Sequence, residues 1–158
     1  MIPTVSATER YRAARDELLA ARTDPDRAAA FTWPRFDGPF NWAIDWFDPM
    51  ARGNDAPALI VVDDDGTHHQ RTFDELARRS DQVAAWLASR GVRRGDAVLL
   101  MLGNQVELWE AMLGIMKLGG VIAPTTTALG AGDLTDRIER AEIRHVIVGV
   151  ADADKFDD

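Results

Sequence analysis

The sequence predicts an α/β protein: a partial doubly wound, mainly parallel sheet with flanking helices, preceded by a β-hairpin and an N-terminal helix. Three observations carry this prediction. The short apolar runs Ala97–Met101, Val121–Ala123 and His145–Val148 alternate with helical stripes over Asn104–Gly119 and Asp133–Ala141, giving the order β-α-β-α-β. Strands joined by helical crossovers run parallel, and right-handed crossovers place the helices on the faces of the sheet. Finally, 158 residues with 46% hydrophobic content are enough to bury a core.

Each element follows from local pattern. Ala7 to Arg22 places Tyr11, Ala14, Leu18 and Leu19 on one stripe of a charged helix that stops at Thr23-Asp24-Pro25. Residues 31–57 mix aromatics with Pro and Gly, an irregular lead-in whose rings serve as core or docking surface, or else as a ligand cage. Within it Asn41 to Phe47 suits a short helix with Trp42 and Trp46 one turn apart. Ala58–Val62 and Thr67–Thr72 flank Asp63-Asp64-Asp65-Gly66, whose Asp-Gly supplies the positive φ that a hairpin turn needs.

Thr72-Phe73-Asp74-Glu75 is a capping box, and Phe73, Leu76, Ala77, Ser80, Val83, Ala84 and Leu87 continue a helical stripe until Gly91. Ala97–Met101 has the composition of a strand buried on both faces. Asn104 is the expected cap of the next helix, with Glu107 at its third position, and that helix is apolar nearly all round until Gly119. A third helix spans Asp133 to Ala141 with Leu134 and Ile138 inward, and His145–Val148 is the last strand. A parallel sheet that stops so soon after a strand is expected to lack a covering helix or a neighbouring strand. The expected division is a lead-in over 1–57 and, over 58–158, the first and incomplete part of a larger domain.

Charge narrows the function. A formal net charge of -8 and a pI near 4.8 oppose nucleic acid or an anionic membrane surface as partner, since both require a positive field. There are no cysteines, hence no disulfides, zinc–thiolate sites or cysteine nucleophile. Met1 to Arg22 carries charges throughout and no apolar h-region, and no stretch approaches the roughly 18 to 20 apolar residues of a membrane span. The expected location is the cytoplasm. Basic residues are nearly all arginine, with Lys117 and Lys155 the two lysines.

Four blocks then stand in register. Arg71-Thr72-Phe73-Asp74-Glu75-Leu76, Gly91-Val92-Arg93-Arg94-Gly95-Asp96-Ala97-Val98, Asn104-Gln105-Val106-Glu107 and Lys117-Leu118-Gly119-Gly120-Val121-Ile122-Ala123-Pro124 resemble the early core motifs of the adenylate-forming ligase superfamily. Phe40-Asn41-Trp42-Ala43-Ile44-Asp45-Trp46-Phe47-Asp48 resembles the opening "FN" segment of medium-chain and related acyl-CoA synthetases. The resemblance implies a two-step ligase. A fatty or aromatic carboxylate attacks the α-phosphate of ATP, with magnesium, to give an acyl-adenylate and pyrophosphate, and the thiol of coenzyme A then displaces AMP. It also implies that the phosphate loop, the adenine and ribose contacts, the acyl pocket and a distal lysine lie beyond this stretch. The expectation is therefore an N-terminal segment that is inactive alone, with no catalytic, cofactor-binding or metal residue of its own, and with exposed apolar surface that favours self-association. The alternatives are a stand-alone flavodoxin-like binding module with its crevice near Gly103, Thr125 and Gly149, and a scaffold or regulatory paralogue without catalysis.

Candidate sites weigh toward structural use. Thr125-Thr126-Thr127 lacks the Gly-Lys of a phosphate loop, and Gly130-Ala131-Gly132 has Thr135 where a third dinucleotide glycine belongs. Leu129-Gly130 and Lys155 occupy positions that can approach coenzyme A in such ligases, yet read more simply as a loop and a solvated lysine. Asp63, Asp64 and Asp65 fail the spacing of a calcium loop, with Val61 at the first ligand position and Thr72 at the twelfth. His68 and His69 point to opposite faces of a strand, and His145 sits in another strand. Ser6, Ser80 and Ser89 lack a nucleophile-elbow context, and Glu107 with Glu110 forms an acid pair only in spacing.

Overall fold

The computed structural model describes residues 5–157; Met1–Thr4, at the head of the Met1–Arg22 stretch, and Asp158 lie outside the described residues. Helix α1 spans Ala7–Ala20 behind a capping box in which Ser6 and Glu9 exchange hydrogen bonds, and the bonds from Ser6 hold the Glu9 carboxyl below its usual value. Thr23-Asp24-Pro25 is more than a stop. The Asp24 side chain accepts from the Arg27 amide and Pro25 fills the first position of a second helix, α2, over Pro25–Ala30. Of the predicted stripe, Ala14 is buried while Leu19 is exposed.

The predicted short helix is a π-helical turn over Trp42–Phe47 that runs into α3, Asp48–Ala51. Asn41 starts it by accepting hydrogen bonds from the amides of Ala43 and Ile44. The hairpin is β1, Pro57–Val62, antiparallel to β2, His68–Thr72, with Gly66 at φ +85° closing the turn. Helix α4, Phe73–Ser89, begins at the predicted Thr72–Glu75 box.

The second sheet is parallel: β3, Ala97–Met101; β4, Val121–Pro124; and β5, His145–Val148, in the order β4-β3-β5. Pro124, which has no amide hydrogen to donate, lies in an edge strand, where that lack is tolerated. Helix α5, Val106–Leu118, leads from β3 to β4, and α6, Ala131–Arg140, leads from β4 to β5. A 3₁₀ segment, Val150–Phe156, follows. Strand alternation sorts the core. Val98 faces Leu87, Val92 and Ile115 from the α4/α5 side, with Ile122 and Ile147 beside it. Leu99 and Met101 face Leu134 and Ile143, with Ile138 and Phe156 around them. Helices therefore cover both faces, as the doubly wound prediction requires, and burying each such Leu or Ile stabilises by about 1.5–3 kcal/mol.

Three details differ from the sequence reading. Gln105, not Asn104, is the N-cap of α5, and it makes no side-chain cap bond; Glu107 instead lies 3.4 Å from the Gln105 side-chain amide. The α5 surface is not buried all round, because Trp109 is 41% exposed. Helix α6 begins two residues early, at Ala131, with Gly130 as its N-cap.

Candidate functional site

The carboxyl ends of the parallel strands are where an open α/β sheet binds ligands. Here the chain leaves β3 toward β4 on one side and reaches β5 on the other, so the crossover directions diverge between β3 and β5. The loops at that edge are fastened by the Thr125 amide donating to Leu100 O at 3.0 Å and the Gly149 amide donating to Met101 O at 3.2 Å. Gly103, Thr125 and Gly149, the crevice of the flavodoxin-like alternative, do lie at this one edge.

The predicted candidates placed there are engaged in local structure. Thr125 is buried and its hydroxyl donates to Ala123 O at 3.2 Å, while the Thr126 hydroxyl accepts from the Ala128 amide at 3.3 Å. Leu129 packs against the Leu99–Leu134 core. Gly130 and Gly132 have open space where a Cβ would stand, so no packing within the chain requires glycine at either position. Thr135 donates to Ala131 O at 3.1 Å within α6. Lys155 corrects the expectation of a solvated lysine. Its Nζ donates to Thr127 O at 2.6 Å and pairs with Asp152 at 2.7 Å, clasping the loop after β4 to the segment after β5.

The other candidate side chains are held by neighbours or exposed. Asp63 pairs with His69 at 2.9 Å, Asp65 accepts from the Thr67 amide at 2.8 Å, and that bond lowers the Asp65 carboxyl pKa. Asp64 and His68 are exposed, and His145 lies 3.9 Å from Asp96. Among the described residues no cluster of three His, Cys, Asp or Glu is placed to hold a metal ion. Ser6 caps α1, and the hydroxyls of Ser80 and Ser89 donate to Ala77 O and Trp86 O within α4. Glu107 is exposed, whereas the Glu110 side chain is 4% exposed and held between Arg71 at 3.5 Å and Arg79 at 3.3 Å, so the two glutamates are not an acid pair.

Sequence reasoning missed the densest charged cluster. Lys117 Nζ, on a side chain 5% exposed, lies 2.6 Å from Asp81, 2.8 Å from Asp48 and 3.0 Å from Ala77 O. Arg52 reaches both aspartates, at 2.9 Å and 2.8 Å, and hydrogen bonds to Asp81 and then Asp48 raise its pKa further. At Asp81 burial pushes the pKa up, but the bonds from Lys117 and Arg52 outweigh it and leave the carboxyl below its usual value. One signal was present: a lysine in the apolar second half of a helix needs a counter-ion if it is buried. The aromatic stripe is packing rather than a cage, with Trp42 stacked on Phe47 and Trp46 edge-on to Tyr11. Trp42 also rims an apolar groove of about 320 Å³ with Leu59, Trp109, Met112 and Met116.

Both lysines are engaged, by Asp48, Asp81, Asp152 and Thr127 O, and the hydroxyls of Thr125 and Thr126 bond to the loop's own backbone, so these groups are not presented to a phosphate or a magnesium ion.

Comparison with known proteins agrees with the fold. A family profile described as "AMP-binding enzyme" matches residues 47–158. Acetyl-coenzyme A synthetase 2 of Zygosaccharomyces bailii is 37% identical over 118 residues, covering 73% of this chain and 17% of that protein. A mitochondrial acyl-coenzyme A synthetase of Rattus norvegicus, ACSM2, is 32% identical over 117 residues, 70% of this chain and 20% of that protein. The crystal structure of a Brucella canis acyl-CoA synthetase superposes with a TM-score of 0.72 at 28% identity, over 93% of this chain and 26% of that one. The chain thus spans about a fifth of the length of these curated relatives. With most of its length, and the whole of its doubly wound sheet, inside the matched region, the chain belongs to the AMP-binding enzyme family.

Proposed function

We propose that this chain forms the first part of the large N-terminal domain of an AMP-forming acid–CoA ligase of the medium-chain acyl-CoA synthetase kind. The whole enzyme would activate a fatty or aromatic carboxylate with ATP and magnesium and pass the acyl group to coenzyme A. The contribution of these residues is architectural: a sheet edge and packed helices against which the nucleotide and acyl machinery of such an enzyme is built. The observation that carries the reading is the family match over residues 47–158 on a sheet with this strand order. A cytoplasmic location is proposed with it; no helix among the described residues is long and apolar enough to cross a membrane.

The test compares the 158-residue chain with the polypeptide encoded by its whole reading frame, in carboxylate-dependent ATP–pyrophosphate exchange and in thioester formation with coenzyme A. Both activities are expected in the longer product and neither in the 158-residue chain. Exchange by the 158 residues alone would refute their architectural role. A reading frame that stops at Asp158 and encodes a ligand-binding but inactive protein would favour the flavodoxin-like module.

A further inference from the structure

We propose that residues 6–40 form a strap that opens as a unit about a hinge at Pro39–Asn41, while residues 41–52 stay clamped to the body. Over residues 6–40 only Ala14 and Ala21 are buried, and α2 buries none. The three core clusters contain no residue before Ala43. Among the described residues, no backbone hydrogen bond and no ion pair joins the strap to the rest of the chain, and one side-chain hydrogen bond does, from Trp42 Nε1 to the Tyr11 hydroxyl at 3.2 Å.

The other attachments converge on a single indole. Tyr11 meets Trp46 edge-on with ring centres 4.9 Å apart, and the Arg15 guanidinium lies 4.8 Å over the same ring. The remaining bonds of the strap are internal: Tyr11 stacks with Phe40 and Trp33, and Arg10 reaches Arg35 O and Asp37. The strap therefore holds its own shape while gripping the body at one aromatic point.

One residue further on, the bonding changes character. The Asn41 side-chain amide donates to Met116 O at 2.6 Å, closing the carboxyl end of α5. Ala43, Phe47 and Ala51 are buried with Leu76, Ala77 and Leu113, and Asp48 is tied to Lys117. Elements with few buried apolar contacts open at lower free energy than the core they rest on, so the hinge belongs at this change. The hinge residues Pro39, Phe40 and Asn41 also line a cavity of about 430 Å³ together with Arg94, Lys117 and Gly119. Opening bares Trp46 and reshapes that cavity.

Amide hydrogen exchange of the intact chain, read by mass spectrometry, tests this. Amides of α1 are expected to exchange at least about 100-fold faster than those of α4 and α5. Tyr11→Ala should speed α1 by about 10-fold more, leaving α5 unchanged, while Tyr11→Phe, which keeps the ring contacts, should move α1 by less than about 3-fold. Common protection of α1, α4 and α5, or a Tyr11→Ala effect shared equally by α1 and α5, would overturn the proposal. A Tyr11→Ala chain that fails to fold would overturn it too, since the strap would then belong to the cooperative unit.

Discussion

Gly114→Ala adds one methyl group at the contact between α4 and α5, and the structure sets its cost. The added Cβ would stand 2.8 Å from Val83 Cγ1, 3.1 Å from Val83 Cβ and 3.2 Å from the Ala84 amide nitrogen. A side-chain rotation relieves only the first contact, and valine in a helix has essentially one comfortable rotamer. The other two atoms are fixed to the α4 backbone, so the helices must separate by several tenths of an ångström. Alanine gains about 1 kcal/mol over glycine in helix propensity, while overpacking a filled contact costs about 1–3 kcal/mol. With two of the three contacts immovable, the upper part of that range applies, and the net loss is about 1–2 kcal/mol, or roughly 3–6 °C in Tm for a chain of this size. Urea unfolding followed by tryptophan fluorescence measures it. Gly132→Ala is the control: its Cβ meets nothing within 4 Å, so the same substitution there should stabilise by about 0.5 kcal/mol. In a Val83→Ala background, which removes the Cγ1 contact but keeps the Cβ and the Ala84 amide nitrogen in place, the Gly114→Ala loss should shrink in part and persist. A Gly114→Ala chain at least as stable as wild type, or a loss indifferent to Val83, would refute this account of the interface.

Lys117→Met leaves Asp48 buried with Arg52 as its one remaining cation and should cost about 2–4 kcal/mol in urea unfolding, a loss under about 1 kcal/mol showing that the cluster is not desolvated. The Asp81 pKa is lowered on folding, so its ion pairs stabilise above the unfolded value of about 3.9 and that stability is lost as pH falls through the lower folded value. Asp81→Asn should accordingly destabilise at pH 7, by about 1 kcal/mol or less because the side chain is 43% exposed, and converge with wild type below that window; a pH-independent difference would contradict the ion-pair assignment. Glu142 ends α6 at φ +49°, a conformation that favours glycine, so Glu142→Gly should raise stability by about 0.5–1 kcal/mol in thermal unfolding. The unpaired edges of β4 and β5, with Val121 and Val146 exposed, predict concentration-dependent association of the 158-residue chain, and a monomer by sedimentation at all concentrations would count against it.

What was legible in the sequence was whatever short-range pattern determines. The Thr72–Glu75 box, the Asp-Gly turn and the β-α-β-α-β order depend on residues a few positions apart, and all appear where expected. The errors arose where two local solutions compete or where the partner is distant. Asn104 and Gln105 both precede an apolar run, and the helix starts after the second, without any side-chain cap. Asp24 served equally as the end of one helix and the start of another, and Pro25 decided it. Lys117 and Asp48 stand 69 residues apart in the chain, and no periodicity links them. Of the candidate sites, the place of the hairpin aspartates in a tight turn was legible, because a turn is also a short-range property. The engagement of Lys155 was not, since it depends on where the loop after β4 comes to rest.

The blocks that carried the family resemblance turn out to be junctions of the fold. Gly91 and Gly95 take φ +94° and +88°, and the Asp96 carboxylate accepts from the Arg93 amide at 2.7 Å, so this block makes the tight turn that feeds β3. In the block from Lys117 to Pro124, Gly119 ends α5 at φ +72°, and a Cβ on Gly120 would collide with Ile115 Cγ2 at 2.9 Å. The Gly95 amide donates to Gly119 O and the Val121 amide to Asp96 O, at 2.9 Å and 2.8 Å, so the two glycine-rich blocks are bonded to each other at the entry of adjacent strands. Lys117 in the same block fixes α3 to α4, and the carbonyl of Met116 just before it receives Asn41. Backbone geometry of this kind tolerates few residue types. Substitutions in these blocks should therefore change stability and assembly first, and any loss of activity in a complete ligase should follow from that displacement.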